Sequence, residues 1–249
     1  MLKKIITICL LVCFGLCFSF QQAGFKAIQL KNSRVKTAYK NKWADLESTL
    51  KSKKIDPHQF DLFIRVTKQE AIVEAWVKNK SDITYQKLKS FGVCASSGSL
   101  GPKRRQGDGQ VPEGFYEITA FQPNSNYHLA LKVGYPNKSD RKKALSADPG
   151  GDIMIHGNCV TIGCIPIQDG PIEELYVLAT EAKNAGGSIH TYIFPFALNE
   201  KKLEEHRAFN KETQDFWKNL KKAFNYFELN HSLPSISIDS SGNYVIATK

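Results

Sequence analysis

The sequence predicts an α+β fold, a β-rich domain that carries a few packed helices and is flanked by helical segments. Three observations predict it. Apolar residues recur with a period near two between residues 60 and 93, the mark of strands with one face turned to a core. Val35, Tyr39, Trp43, Leu46 and Leu50, and later Ile172, Leu175, Tyr176, Ala179 and Ala182, recur at spacings of three and four, which places them on one helix face. A charged tail over 200–230 returns to the helical period, with Phe216, Leu220, Phe224 and Phe227 on one side.

Taken in order, residues 35–51 form an amphipathic helix closed by Asp56-Pro57. Phe60 to Lys68, Ala71 to Lys78 and Ile83 to Val93 are three strands, and a glycine-rich loop follows from Ser96 to Gly114. Phe115 to Thr119 and His128 to Val133 resume as strands, the second ended by Gly134-Tyr135-Pro136-Asn137. Asp152 to His156 is a short buried strand, and Cys159 to Ile167 follows as a tight segment. Asp169-Gly170-Pro171 opens a helix that Gly186-Gly187 ends. Ser188 to Phe194 is a further strand, and after the tail helix Pro234 precedes a hairpin over 236–247. These boundaries divide the chain into a leader (1–19), an N-terminal helical segment (20–58), a central β-rich domain (59–198) and a C-terminal helical segment with a hairpin (199–249).

The leader is a secretory signal by its order. Lys3 and Lys4 provide a cationic start, Ile5 to Phe18 an apolar run, and Cys17 and Ser19 the small residues before a cleavage point. The chain is therefore expected outside the cytoplasm, in the periplasm or cell envelope. Left uncleaved, the same run would serve as a membrane anchor.

The 249 residues, 42% hydrophobic and 23% charged, suffice for one substantial core and exclude a disordered, collagenous or multi-spanning protein. A net charge of +10 suits an anionic polymer or lipid surface; export argues against nucleic acid as the partner. Composition is silent on oligomeric state. Once the leader is removed, Cys94, Cys159 and Cys164 remain, an odd number that leaves at least one thiol outside any intramolecular bridge.

The densest chemistry lies in His156-Gly157-Asn158-Cys159-Val160-Thr161-Ile162-Gly163-Cys164. A thiol attacks an amide as thiolate and needs a nearby base, for which histidine is suited by its near-neutral pKa. Here a histidine ends a buried strand and the loop brings back a cysteine within eight residues. Gly163 allows close backbone approach, and N–H groups around Cys164 are candidate donors to an oxyanion. Thr161 is a candidate to hold the imidazole.

Thr161-Ile162-Gly163-Cys164, with the upstream His156-Gly157, resembles the catalytic signature of the L,D-transpeptidase (YkuD-type) family. The short His-to-Cys separation is similar to the YafK-like branch. Gly107 to Tyr116 and Tyr135-Pro136-Asn137-Lys138-Ser139-Asp140-Arg141 extend the likeness, which covers roughly 60–195. The resemblance implies a YkuD-type β-rich catalytic domain and an exported peptidoglycan enzyme that needs no cofactor. In it, Cys164 is acylated by a stem peptide, His156 acts as general base, and the Gly163 region is the oxyanion site. Peptidoglycan stem peptides are the implied partner. Ile162 stands where the family commonly has a histidine, and Ile165-Pro166 where Asn or Arg often follows the cysteine. The acceptor, another stem's amine or water, is therefore left open between transpeptidase and hydrolase.

Several readings stay open beside this one. Cys159 pairs with Cys94 or simply packs. His156, Cys159 and Cys164 could begin a zinc site, but no second Cys/His pair completes it, and no metal is expected. The 98–114 loop lacks the Gly-Lys-Ser/Thr of a phosphate loop; Lys103, Arg104 and Arg105 make it either a cationic lid for a substrate carboxylate or a solvated turn. Tyr135, Asn137, Asp140 and Arg141 are candidates to line the substrate groove. The rival classes are a wall-binding module without turnover and a metal-binding structural protein.

Overall fold

A computed structural model describes residues 24–247. The secretory leader expected over 1–19 lies outside the described residues. Two short helices the periodicity did not predict are present, α1 (Phe25–Gln29) and α3 (Lys138–Lys142). The remaining helices are α2 (Ser33–Ser52), α4 (Asp169–Asn184), α5 (Glu200–Glu205) and α6 (Lys211–Asn230). The strands are β1 (Phe60–Thr67), β2 (Ile72–Asn79), β3 (Gln86–Gly92), β4 (Gly114–Gln122), β5 (Ala130–Val133), β6 (Met154–His156), β7 (Ile165–Pro166), β8 (His190–Phe194), β9 (Ser235–Ile238) and β10 (Tyr244–Ala247).

Eight strands form one sheet in the order β3-β2-β1-β8-β4-β5-β6-β7, and β9 and β10 form a separate hairpin. β1 with β8 and β6 with β7 run parallel; their neighbours are antiparallel. The period of two in the sequence sorts side chains between two cores, because both faces of the sheet are covered. Leu62, Ile64 and Val66 of β1 join Val73, Ala75 and Val77 of β2 beneath α2 and α4. Phe63, Trp76, Tyr192 and Phe194 point the other way, into an aromatic cluster closed by Trp217, Leu220, Phe224 and Phe227 of α6. Among the described residues no helix is long and apolar enough to cross a membrane.

Helix α2 begins where the Asn32 side chain accepts the Arg34 amide at 2.9 Å, and it buries Val35, Ala38, Leu46 and Leu50. The tail is not one helix over 200–230. Asn199 and Asn210 each cap a new start, and between them Phe209 turns in against Trp217 at 4.7 Å between ring centroids. A second capping signal and a half-buried ring outweigh continuous helical propensity there.

The sheet curls until its two edges meet. Beyond β3, the Cys94 amide donates to the Pro166 carbonyl of β7 at 3.0 Å. A disulfide between Cys94 and Cys159 fastens the same seam, with the two Cα atoms 5.7 Å apart. This pairing selects the first of the two alternatives the sequence left open for Cys159.

Candidate active site

The candidate residues lie beside this seam. In β6 and β7, Ile155 pairs with Ile165 and His156 with Pro166. Ile155 and Ile165 both enter the core, so alternation turns Met154, His156 and Cys164 toward the other side. Continuing the register one step sets Cys164 beside Met154, with the imidazole two residues further along the same face. Strand spacing and rise then put the two Cα atoms roughly 8 Å apart, within reach of joined side chains.

His156 is 1% exposed. Its Nδ1–H donates to the Gly157 carbonyl at 2.6 Å, which fixes the tautomer and leaves Nε2 with a lone pair. Nε2 is buried and has no hydrogen-bond partner among the described residues. The Tyr127 ring lies over the imidazole at 4.7 Å with 30° between planes. Burial pulls the His156 pKa below its ordinary value, against the Gly157 hydrogen bond, so the ring is neutral at neutral pH.

Cys164 is the free cysteine of the described residues and is partly exposed. Its Sγ–H donates to the Asp152 carbonyl at 3.5 Å rather than to the imidazole. Burial pushes the thiol up; the Met154 amide facing the sulfur pulls the other way. Cys164 opens into a cavity of about 340 Å³ walled by Val66, Val93, Val111 and Ile165 and rimmed by Gln69 and Ser96 to Ser99. Lys68 also lines it.

Gly163 has φ +134°, a conformation that favours glycine, and a Cβ there would lie 3.1 Å from the Gln110 carbonyl oxygen. Thr161 does not hold the imidazole through its hydroxyl: that group donates to the Cys164 carbonyl at 2.8 Å and accepts the Gly163 amide at 3.1 Å. Gly157 takes the ring instead, because its carbonyl is one residue away while Thr161 is needed to close its own turn. The Gly163 N–H is thus occupied, whereas the Cys164 N–H has no partner among the described residues.

The expected substrate residues go elsewhere. Asp108 gathers the 98–114 loop inward, its carboxylate accepting Lys103 Nζ at 2.6 Å and the amides of Arg104, Arg105 and Gln110. Burial would raise the Asp108 pKa, but the Lys103 ammonium and these amides hold it below the usual range. Lys103 and Arg104 are thereby turned inward and form no cationic lid, while Arg105, Gln106 and Gly107 at the tip form an exposed turn. Arg104 is buried with its guanidinium 5.2 Å from the Phe216 ring centroid and 3.7 Å from Asp140. Arg105 is exposed but lines no part of the cavity. Tyr135 is buried and donates to the Pro149 carbonyl at 2.8 Å. Asn137 and Asp140 form the capping box of α3, and Asn137 also bonds the Tyr244 hydroxyl at 2.8 Å. Arg141 is exposed on the last turn of α3, beside Lys138 and Lys142. Asn137 ties the C-terminal hairpin to the domain, and none of these residues lines the cavity beside Cys164.

The groove residues that the sequence reading missed are Lys68, Gln69 and Ser96 to Ser99. Their only signal was the serine run after the third strand. Among the described residues no group of His, Cys, Asp and Glu is arranged to hold a metal ion. Cys159 is consumed in the disulfide, so His156, Cys159 and Cys164 are not three free ligands.

The site is thus a curled sheet with a buried histidine and a free cysteine on neighbouring strands beside its seam. The chain belongs to the L,D-transpeptidase catalytic domain (YkuD) family, whose pattern matches residues 61–185. It is 36% identical over 189 residues to YafK of Escherichia coli (strain K12), whose name assigns that protein provisionally to the L,D-transpeptidases. The alignment covers 75% of this chain and 74% of YafK. Among solved structures, the helical cell shape determining protein Pgp2 of Campylobacter jejuni is similar at a TM-score of 0.44 and 17% identity, covering 73% of each chain. Bd1075 of Bdellovibrio bacteriovorus is similar at a TM-score of 0.40 and 19% identity, over 73% of this chain and 78% of the other. The family assignment rests on the family pattern and the YafK alignment alone.

Proposed function

We propose that this chain is an exported cysteine acyl-transfer enzyme of peptidoglycan, acting on stem peptides through a thioester on Cys164. The observation that carries the reading is the pairing of a neutral, buried imidazole, whose Nε2 lone pair is unused, with a free thiol on the same face of the seam.

In the reaction, Cys164 rotates about χ1 from the Asp152 carbonyl toward Nε2, a change between staggered rotamers. Nε2 accepts the thiol proton as Sγ attacks the carbonyl carbon of the scissile amide. The Cys164 N–H supports the developing oxyanion. The C–N bond breaks, the imidazolium returns its proton to the leaving amine, and the acyl group remains on sulfur. An amine of a second stem peptide, or water, then attacks the thioester with Nε2 again taking the proton, and the thiol is regenerated. The cavity beside Cys164 receives one arm of the donor peptide.

Mass spectrometry of defined disaccharide-tetrapeptides incubated with the protein tests this. A covalent adduct on Cys164, with either loss of a residue or new dimers, is expected, and both disappear in Cys164→Ala. Dimers identify cross-linking and their absence hydrolysis. Unchanged turnover in Cys164→Ala, or an inert wild-type protein that still binds peptidoglycan, overturns the reading, the second result in favour of a wall-binding module.

A further inference from the structure

The C-terminal unit touches the cavity wall through one buried polar chain. Trp217 of α6 is fully buried, 5.1 Å from Phe196 and 4.7 Å from Phe209 between ring centroids. Its indole N–H donates to Glu113 Oε2 at 2.7 Å. Glu113 is itself fully buried, and its Oε1 accepts both Lys68 Nζ and the Gly101 amide at 2.8 Å. Lys68 Nζ spends its other two protons on the carbonyls of Gly101 and Val111, each at 2.9 Å.

The consequence is geometric. The Gly101 peptide is held on both sides, its N–H by Glu113 and its carbonyl by Lys68. Both ends of the 101–111 loop converge on a single ammonium. Lys68, Leu100 and Val111 all line the cavity into which Cys164 opens. Gly101 sits at φ +112°, so the chain turns sharply where it is clamped. A helix that only needed to cover the sheet would be served as well by hydrocarbon, since a buried ion pair seldom outperforms well-packed apolar groups. What this pair supplies is one defined position for the wall.

We propose that Glu113 and Trp217 are positioning residues for acyl transfer: α6 fixes, through Trp217, Glu113 and Lys68, the wall against which the donor peptide lies beside Cys164. This rests on the acyl-transfer reading of Cys164, and the test separates the two. Trp217→Phe keeps an aromatic ring between Phe196 and Phe209 but removes the donor. Its KM for a disaccharide-tetrapeptide is expected to rise about tenfold while kcat changes less than about threefold, the pattern of lost positioning in binding. Phe224→Leu, in the same aromatic cluster but away from Glu113, serves as a control of comparable destabilisation and is expected to keep the wild-type KM. Cys164 alkylation by iodoacetamide is expected to be unchanged in Trp217→Phe, and alkylation by a bulky fluorescein maleimide to accelerate. An unchanged KM and maleimide rate, or an equal change in Phe224→Leu, overturns the proposal. Should Trp217→Phe fail to fold, hydrogen exchange on the wild-type full chain decides: protection of the Gly101 amide equal to that of core α6 amides supports the clamp, and loop-like exchange overturns it. A wild-type protein inert toward muropeptides sinks the enzymatic reading and with it the role in acyl transfer, whereas the maleimide rates and the Gly101 exchange still decide whether Trp217 and Glu113 fix the cavity wall.

Discussion

Cys94 and Cys159 stand 65 residues apart in the chain, and their disulfide ties the exit of β3 to the loop that carries Cys164. The bond closes a large loop of the unfolded chain and anchors the turn between His156 and Cys164. Removing it in the Cys94→Ala/Cys159→Ala double variant is expected to cost about 2–4 kcal/mol of stability. Thermal unfolding with and without reductant checks this: the wild-type Tm falls in reductant, and that of the double variant does not move. Acylation of Cys164 is expected to slow in the double variant, since its loop loses a fixed end.

The resting pair is thiol and neutral imidazole. Burial raises Cys164 and lowers His156, so at neutral pH neither carries charge. Thiolate absorbance near the ultraviolet edge is therefore expected to be absent at pH 7 and to grow only in the alkaline range. Because the base must be deprotonated and its pKa is depressed, the acidic limb of kcat/KM is expected below the ordinary imidazole value. An acidic limb above that value, or thiolate absorbance at pH 7 that vanishes in Cys164→Ala, would instead mark a charged resting pair.

Asp140 ties pH to stability in the opposite direction from the carboxylates that lysine and arginine partners hold low. Burial lifts its pKa from 3.8 to about 6, although the Asn137 amide, Arg104 and Tyr116 pull it down. The folded state therefore holds a proton that the unfolded state has released between those two values. Stability falls as pH rises through that window and is level above it, by about 3 kcal/mol at most. Asp61, Glu70, Glu74 and Asp108 are held low and lose stability on acidification instead, so the comparison must be with a variant. Urea midpoints of wild type and Asp140→Asn, measured from pH 4 to 7, are expected to diverge as pH rises, the variant becoming relatively more stable. Parallel curves would show that Asp140 does not titrate there.

Most elements and the reactive loop were legible in the sequence, because both are local. Alternation in β1 and β2, the stripe of α4 and the Thr161 to Cys164 turn each depend on neighbours a few residues away. α3 was not legible, since its start depends on the Asn137 and Asp140 side chains capping each other after a turn that reads as punctuation. Nor was the break between α5 and α6, which Phe209 secures by packing on a residue of the next helix.

By itself the sequence determined which residues could react: a histidine at a strand end and a cysteine eight positions on, with a glycine that lets the backbone approach. Tertiary structure alone decided which polar residues line the cavity beside Cys164. Arg104, Tyr135, Asn137 and Asp140 carry the right chemistry for a groove, yet Phe216, Pro149 and Tyr244 draw three of them inward and Asn137 caps the fourth. The physical reason is that a buried polar group takes its partner wherever the fold supplies one, and for Arg104 and Asn137 the residues they meet come from the distant C-terminal part of the chain.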